Sequence, residues 1–490
     1  MTSTLAEPAA TVEPSATVEP PATPVPQRLV LVLPTDARFD SRTYRIGSTL
    51  AGRGHTVTVL ARAGRDLPAD ELHPAGYRIV RVPVSAVDGL PLPAVACRII
   101  ASAWRRRRPM TDPGGTAAGE AGDADARDAD AQDAAVVLGA RSARAPAGPG
   151  PVGTIARLVQ RAISAAVRMA AIFMTVRSQA RALRLVDPGA DLYHAMAYMG
   201  IPVALGLAGR HPGSRVVYDA RDIYVDANNL ARLPRPVRMV LGWFERGWAR
   251  RADRVVTVNR PYAEVMAARW DLPLPAIVLN CAYRRHRAEP APRRFHEQLG
   301  LAASVRVILY QGGWSPNRGI EQLLEAILLV DNAVLVLLGY GPLARDLEVA
   351  AKRPDLEGRV HLLPAVAPEE LLDWVAAADV VAMPIQPSTL NHRLTTPNKL
   401  FEAMAAGVPV VASDLPGMSG IVRDTGCGLV CDPTDPGAIA RAIRAILDAP
   451  EPERAGYRER ALAAADSVYN WETQAEVLLD EYGRLTGRPW

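Results

Sequence analysis

The chain predicts an α/β protein of two doubly wound parallel-sheet domains, on three observations. Short continuous apolar runs, the mark of strands buried on both faces, alternate with segments of helical spacing. The alternation occurs twice, over residues 28–258 and again from 306 to about 447. Between the two series, around residues 281–293, the pattern dissolves into Arg, Pro and Ala, a linker composition. At 490 residues there is length enough for two full cores.

Composition narrows the function. The sequence is 49% hydrophobic and 22% charged, as in a soluble globular enzyme. A net charge of +4 gives no global nucleic-acid bias, and 5% aromatics are too few for a base-stacking platform. Cys97, Cys281, Cys427 and Cys431 form no metal pattern; Cys427 and Cys431 read as two buried thiols. Reduced cysteines, no basic region before an apolar run at the N-terminus and no uncharged apolar stretch of about 18 residues lead to a cytoplasmic expectation.

In chain order, residues 1–26 are low-complexity Pro, Ala, Thr, Val and Glu, expected to be a disordered tail. An N-terminal domain is expected over 27–283. It opens with a strand at 28–33, a helix at 41–53 carrying Tyr44, Ile46 and Leu50, and a strand at 57–60. His55, at the entry of that strand, reads as structural. Further strands fall at 77–84, 191–194, 215–218 and 254–258. An insertion at 109–153, rich in Ala, Gly, Pro and Asp, has the composition of a solvated disordered loop. The basic segment 155–185 follows. Within it, 155–174 is an amphipathic helix candidate with Arg157, Arg161 and Arg168 opposite Ile155, Val159, Ile163 and Phe173. Arg177, Arg181 and Arg184 fall on the reverse side, so one clean helix is not expected to continue. Such a segment suits an anionic membrane surface, with a domain helix carrying a solvated basic face as the other reading. A linker at 284–300, a second domain at 301–470 and a helical segment at 471–490 complete the division.

The stretch Thr396-Pro397-Asn398-Lys399-Leu400-Phe401-Glu402 is the most informative. It reads as a helix with Thr396 as N-cap, Pro397 at the first position and Gly407 just past the end. Lys399 and Glu402, three apart, share a face near the helix N-terminus, where free N–H groups and the dipole favour an anion. A lysine for a diphosphate and a glutamate for ribose hydroxyls suit a nucleotide sugar; an ordinary surface ion pair is the other reading. Gly312-Gly313 allows close approach of backbone to phosphate, ahead of a helix expected near Pro316, and Arg318 adds charge.

These residues resemble the donor-site signature of GT-B retaining glycosyltransferases of family 4. The runs 307–314, 335–342, 360–364 and 378–384 are similar to that family's successive C-domain strands and turns. The resemblance is strong over 305–435 and weaker over 28–60 and 190–285. It implies GT-B architecture: two Rossmann-like domains facing a cleft, with a C-terminal helix, carrying Trp471 and Tyr482, that crosses back to brace the N-domain. It implies donor contacts from Gly312, Gly313, Arg318, Gly341, Asn398, Lys399, Leu400 and Glu402. Two positions depart from the family pattern. Gly313 stands where a basic residue is usual, and Leu394 where a first glutamate is expected, leaving Asn391, His392, Arg393 and the backbone after Thr395 as donor-sugar contacts. On the N-domain, strand ends bring His194, Arg221 and Asp222 to the cleft as catalytic and acceptor candidates, with an Asp219–Arg221 pair fixing the loop as the alternative. No Asp-x-Asp metal motif stands at a C-domain strand end, so no metal or other cofactor is expected. The Pro-Asn-Lys-Leu-Phe-Glu variant resembles enzymes of surface-polysaccharide assembly. The implied partners are a nucleotide-diphosphate sugar and a lipid-linked or saccharide acceptor, at the inner face of the plasma membrane. A catalytically silent scaffold and a GT-B nucleotide-sugar epimerase are the alternatives.

Overall fold

The computed structural model describes residues 26–38, 40–85, 151–227, 230–284 and 293–490, with side chains from residue 166 onward in the helix that begins at 151. The sequence splits into two sheets. The first holds eight strands: β1 (Arg28–Val32), β2 (Thr56–Arg62), β3 (Asp70–Leu72), β4 (Arg78–Val82), β5 (Leu192–Met196), β6 (Arg215–Ala220), β7 (Arg254–Thr257) and β8 (Ala276–Ile277). Their spatial order is β3-β4-β2-β1-β5-β6-β7-β8, parallel except for the β3–β4 pair. The second has β9 (Arg306–Gly313), β10 (Ala333–Tyr340), β11 (Val360–Pro364), β12 (Val380–Met383), β13 (Val410–Ser413) and β14 (Gly428–Cys431), all parallel, in the order β11-β10-β9-β12-β13-β14.

Strands such as LVLV in β1 and VLVLL in β10 are apolar on consecutive residues because helices cover both faces of each sheet. Leu29 and Leu31 face one apolar layer and Val30 and Val32 the other, following the period of two. β9 splits in the same way, with Val307 and Leu309 opposite Ile308 and Tyr310. In each sheet the chain winds outward in two directions from a central pair, β1/β5 and β9/β12. Between the carboxyl ends of such a pair a crevice opens, the usual ligand position in open α/β sheets.

The helix Trp471–Thr486 returns from the second domain to the first. Asn470 caps it, its Oδ1 accepting from Thr473 N at 2.8 Å, and Gly487 ends it at φ 67°. Trp471 Nε1 donates to Thr49 Oγ1 at 2.8 Å, while Leu478, Leu479 and Tyr482 join the first domain's core. Trp471 and Tyr482 thus pack as the resemblance implied.

Two expectations change. The segment after residue 150 is one continuous helix, Pro151–Leu183. Its later turns bury polar side chains beside the apolar Val176, Ala180 and Leu183: Ser178 and Gln179 are enclosed, and Gln179 Nε2 donates to Leu33 O at 2.6 Å. The apolar side read for a membrane is used internally in its described part, with Ile172 against Leu233 and Leu241 and Phe173 on Phe244 at 4.8 Å. The other change is in the expected linker: Arg294–Leu299 is helical, and Phe295 is buried in the second domain's core. Residues 1–25 of the expected tail, almost all of the 109–153 insertion, Arg157 and Arg161 lie outside the described residues or side chains.

Candidate donor and acceptor site

The site is assembled at the β9/β12 crevice. β9 ends in Gly312 at φ 106° and the exposed Gly313, and the chain then turns through Trp314. The helix expected near Pro316 begins later, at Ile320, because Gly319 takes a left-handed φ of 80° to start it. A Cβ on Gly319 would lie 2.0 Å from Pro384 O, so the turn after β9 is pressed onto the end of β12. Gly341 is equally confined, 2.3 Å from Trp314 O by the same measure. That glycine therefore shapes the loop under the crevice.

The helix Asn398–Ala406 enters from beyond β12. Its cap is Pro397 in extended conformation, one residue after the expected Thr396, whose hydroxyl instead donates to Gly417 O. Leu400 N donates to Pro397 O at 3.1 Å, and without a side-chain cap the N–H groups of Asn398 and Lys399 stay open among the described residues. Gly407 ends the helix at φ 70°, as the sequence indicated.

Lys399 and Glu402 form no ion pair with each other among the described residues. Lys399 Nζ sits 3.6 Å from the centre of the Tyr310 ring, and a Cβ on Gly312 would be 3.8 Å from it. Burial and the nearby Arg318 guanidinium push the Lys399 ammonium down to about 7, against the pull of Glu402. Arg318 has no ion-pair partner among the described residues, and its field also reaches His392 and Asp222. Two uncompensated cations, two flexible glycines and an open helix end thus converge. Asn398 adds a link to the first domain, its Oδ1 accepting from Asn280 Nδ2 at 3.0 Å. Leu400 is fully buried in the second domain's core and contributes packing rather than an exposed contact.

Glu402 is 8% exposed. Burial raises its carboxyl pKa, opposed chiefly by Arg45 and by a 3.4 Å hydrogen bond from Gln311 Nε2. Gln311 Oε1 is buried without a partner among the described residues. Arg45 was not foreseen. It belongs to the first domain's helix Ser41–Gly52, on the face that also buries Arg42 and Ile46, and is fixed by Asn280 Oδ1 at 2.7 Å. Two arginines on the buried face of a short helix were the available signal.

The first-domain candidates separate into two groups. His194 is fully buried: Nε2 faces Asp219 Oδ2 at 3.2 Å and Nδ1 faces Tyr482 OH at 2.7 Å. Burial lowers its pKa, and the neutral ring with Nε2–H donating to Asp219 and Nδ1 accepting from Tyr482 satisfies every partner. It orients neighbours inside the domain, which corrects the expectation that it reaches the cleft. Asp219 pairs with Arg42, so the anticipated Asp219–Arg221 pair does not form. Arg221 is instead held by Asp40 through both carboxylate oxygens, at 3.0 and 2.8 Å.

Asp222 does face the second domain. Its Oδ1 accepts from Asn391 Nδ2 at 2.9 Å, and burial raises its pKa. Asn391 also accepts from Ile223 N at 2.8 Å, and its carbonyl accepts from Tyr262 OH at 2.9 Å. Asn391, one of the positions left open for the donor sugar, therefore closes the cleft. His392 is held near pH 4 by burial and Arg318, its Nδ1 against Ser388 Oγ at 2.9 Å, while Arg393 is exposed. The Leu394 side chain packs against the first domain, and its carbonyl accepts from Asn259 Nδ2 at 2.8 Å. Among the described residues no group of three or more His, Cys, Asp or Glu is arranged to hold a metal. None of the described helices is long and apolar enough to cross a membrane.

Comparison with known proteins agrees with this geometry. Residues 305–449 match the family described as Glycosyl transferases group 1. A D-inositol 3-phosphate glycosyltransferase of Xylanimonas cellulosilytica is 34% identical over 197 residues, 39% of this chain and 45% of that protein. One of Streptomyces scabiei is 29% identical over 266 residues, 51% of this chain and 57% of that protein. The chain thus spans about half the length of the curated relatives it matches. Among solved structures, sucrose-phosphate synthase from Thermosynechococcus elongatus superposes with a TM-score of 0.64 at 20% identity, covering 94% of this chain and 99% of that one. WaaG, a glycosyltransferase of lipopolysaccharide biosynthesis, gives 0.59 at 17%, covering 94% and 100%. Anabaena HepE in complex with UDP-glucose gives 0.57 at 15%, again covering 94% and 100%. The chain thus has the two-domain GT-B fold of these solved structures, and its residues 305–449 match the group 1 glycosyl transferase family.

Proposed function

We propose that this chain transfers a sugar, with retention of configuration, from a nucleotide-diphosphate sugar to a lipid-linked or saccharide acceptor at the inner face of the membrane. The observation that carries the reading is the convergence of Lys399 and Arg318, neither ion-paired among the described residues, on the Gly312–Gly313 turn and the open end of Asn398–Ala406. A diphosphate supplies the missing negative charge and accepts from the free N–H groups. Glu402, one helical turn further, takes the ribose hydroxyls, its carboxyl flanked by Arg45 and Gln311. Cations and backbone neutralise the leaving diphosphate, so no metal is called for. Asp222, Arg221 and Asn391 border the acceptor side. The donor class is supported by the UDP-glucose complex of HepE, and a phosphorylated or lipid acceptor by the names of the inositol-phosphate enzymes and WaaG.

A non-catalytic nucleotide-sugar-binding scaffold is the second reading, favoured by Leu394 in place of the first glutamate. Incubating the protein with UDP- and GDP-sugars and a membrane extract separates the two. Acceptor-dependent release of nucleoside diphosphate, with an axial product linkage from an axial donor by NMR, is expected. Nucleotide binding without turnover in any extract supports the scaffold, and inverted product stereochemistry refutes retention.

A further inference from the structure

The first domain carries a second opening, away from the β9/β12 crevice. A groove of about 490 Å³, within the ~300–1,000 Å³ of small-ligand sites, lies under the helix Arg235–Ala249. Its walls include Val225, Met239, Trp243, Met266 and Trp270. The helix is divided lengthwise. Leu241 and Glu245 point inward, and Phe244 packs on Phe173. The opposite stripe puts Met239 at 74% exposure and Trp243 at 69%, with Val240 at 41% beside them. Large apolar side chains left in water on one stripe mark a surface that meets something apolar.

Charge decides what that is. Arg235, Arg238, Arg246 and Arg269 line the groove, against the carboxylates of Asp226 and Glu245. Asp226 is already shared by Arg238 and Arg269, each at 2.7 Å. Glu245 is turned inward, accepting from Tyr218 OH at 2.7 Å. Arg246 has only a 3.6 Å contact with the exposed Asp271, a weak surface pair, and Arg235 has no ion-pair partner among the described residues. The apolar stripe is thus flanked by surplus positive charge, the complement of an anionic lipid surface, where Trp settles at the headgroup level and Arg meets phosphate. The groove also adjoins the cleft, since Ile223 lines it and its N–H is bonded to Asn391.

We propose that this face seats on an anionic phospholipid surface, with a hydrocarbon chain in the groove between Met239, Trp243 and Trp270 and a phosphate on Arg235 and Arg246. The proposal deepens the lipid-acceptor reading above and rests on it. It places the lipid contact on Arg235–Ala249 rather than on the long helix, whose Ile172 and Phe173 pack against Leu233, Leu241 and Phe244.

The test uses the full chain and vesicles of phosphatidylglycerol or phosphatidylcholine, with and without brominated acyl chains. The protein should sediment with phosphatidylglycerol vesicles and little with phosphatidylcholine. Brominated phosphatidylglycerol should quench its tryptophan emission, and Trp243→Phe should reduce that quenching to the share of Trp270 while keeping binding. Met239→Ser with Trp243→Ser should abolish sedimentation. Arg235→Gln with Arg246→Gln should weaken it by roughly 30-fold, at about 1 kcal/mol per basic residue. No sedimentation of the parent, sedimentation undiminished in the Met239/Trp243 variant, or quenching unchanged in Trp243→Phe overturns the proposal. UDP and GDP affinity of the same proteins isolates the donor reading. A parent that binds vesicles but no nucleotide refutes that reading alone, and one that binds nucleotide but no vesicles refutes the lipid face alone.

Discussion

Lys399 rests its ammonium on the face of Tyr310, 3.6 Å from the ring centre, where other buried lysines would take a carboxylate. Tyr310 is fully buried and donates its hydroxyl to Gly313 O at 2.9 Å, so the ring is fixed. The aromatic face stabilises the cation partially and leaves it able to engage an anion.

This arrangement makes diphosphate binding pH-dependent. Burial and Arg318 hold Lys399 near 7 in the free protein, so the ammonium is lost as pH rises through about 7. An arriving diphosphate binds the protonated form and draws its pKa upward. Affinity for UDP or GDP should therefore fall from pH 6 to pH 8, while affinity for the bare nucleoside stays flat. Calorimetry across that range in buffers of different ionisation enthalpy should also show proton uptake on diphosphate binding. A flat profile places the diphosphate elsewhere.

The link between Tyr482 and His194 is a stability element. Tyr482→Phe removes the only donor that Nδ1 of the buried ring faces among the described residues, at a cost of about 1–3 kcal/mol. Urea unfolding should show that loss with nucleotide affinity unchanged. Unaltered stability would mean that the ring finds another donor, and a fall in nucleotide affinity would return His194 to the site.

Asn391 should govern closure of the cleft. Asn391→Ala leaves Asp222 and the Ile223 N–H without their partner across the cleft. Small-angle scattering should show a larger radius of gyration than the parent, with nucleoside diphosphate affinity largely retained because the proposed diphosphate contacts Lys399 and Arg318 lie in the second domain. An unchanged radius would show that the remaining cross-domain bonds, such as Asn259 to Leu394, suffice.

What could be read in the sequence follows from how local each signal is. β1, β2, β9 and β10 were legible because both sheet faces are buried and nearly every residue of each run is apolar. The helix carrying Lys399 and Glu402 was legible because Gly407 and Pro397 punctuate it. The continuity of Pro151–Leu183 was hidden, since Ser178 and Gln179 are buried among its apolar residues while Arg177, Arg181 and Arg184 change the basic side. Arg45, Asn280 and Asn391 were missed as site residues or misassigned because their hydrogen-bond partners are 118 to 235 residues of chain away, and no local pattern encodes that. His194 looked like a cleft residue by its strand-end position. Only the return of Tyr482 from the last helix shows that the ring is enclosed.

The most direct test of the donor site compares Glu402→Gln and Lys399→Ala by calorimetry with a nucleoside and its diphosphate. Glu402→Gln retains an acceptor oxygen beside Gln311 but loses the charge, so nucleoside and diphosphate affinity should both fall about ten- to hundredfold, for a charged hydrogen bond of roughly 1.5–3 kcal/mol. Lys399→Ala should weaken the diphosphate alone and flatten the salt dependence of its binding. Equal affinities of parent and Glu402→Gln for the nucleoside, or a Lys399→Ala loss as large for nucleoside as for diphosphate, would contradict the assignment of ribose to Glu402 and diphosphate to Lys399.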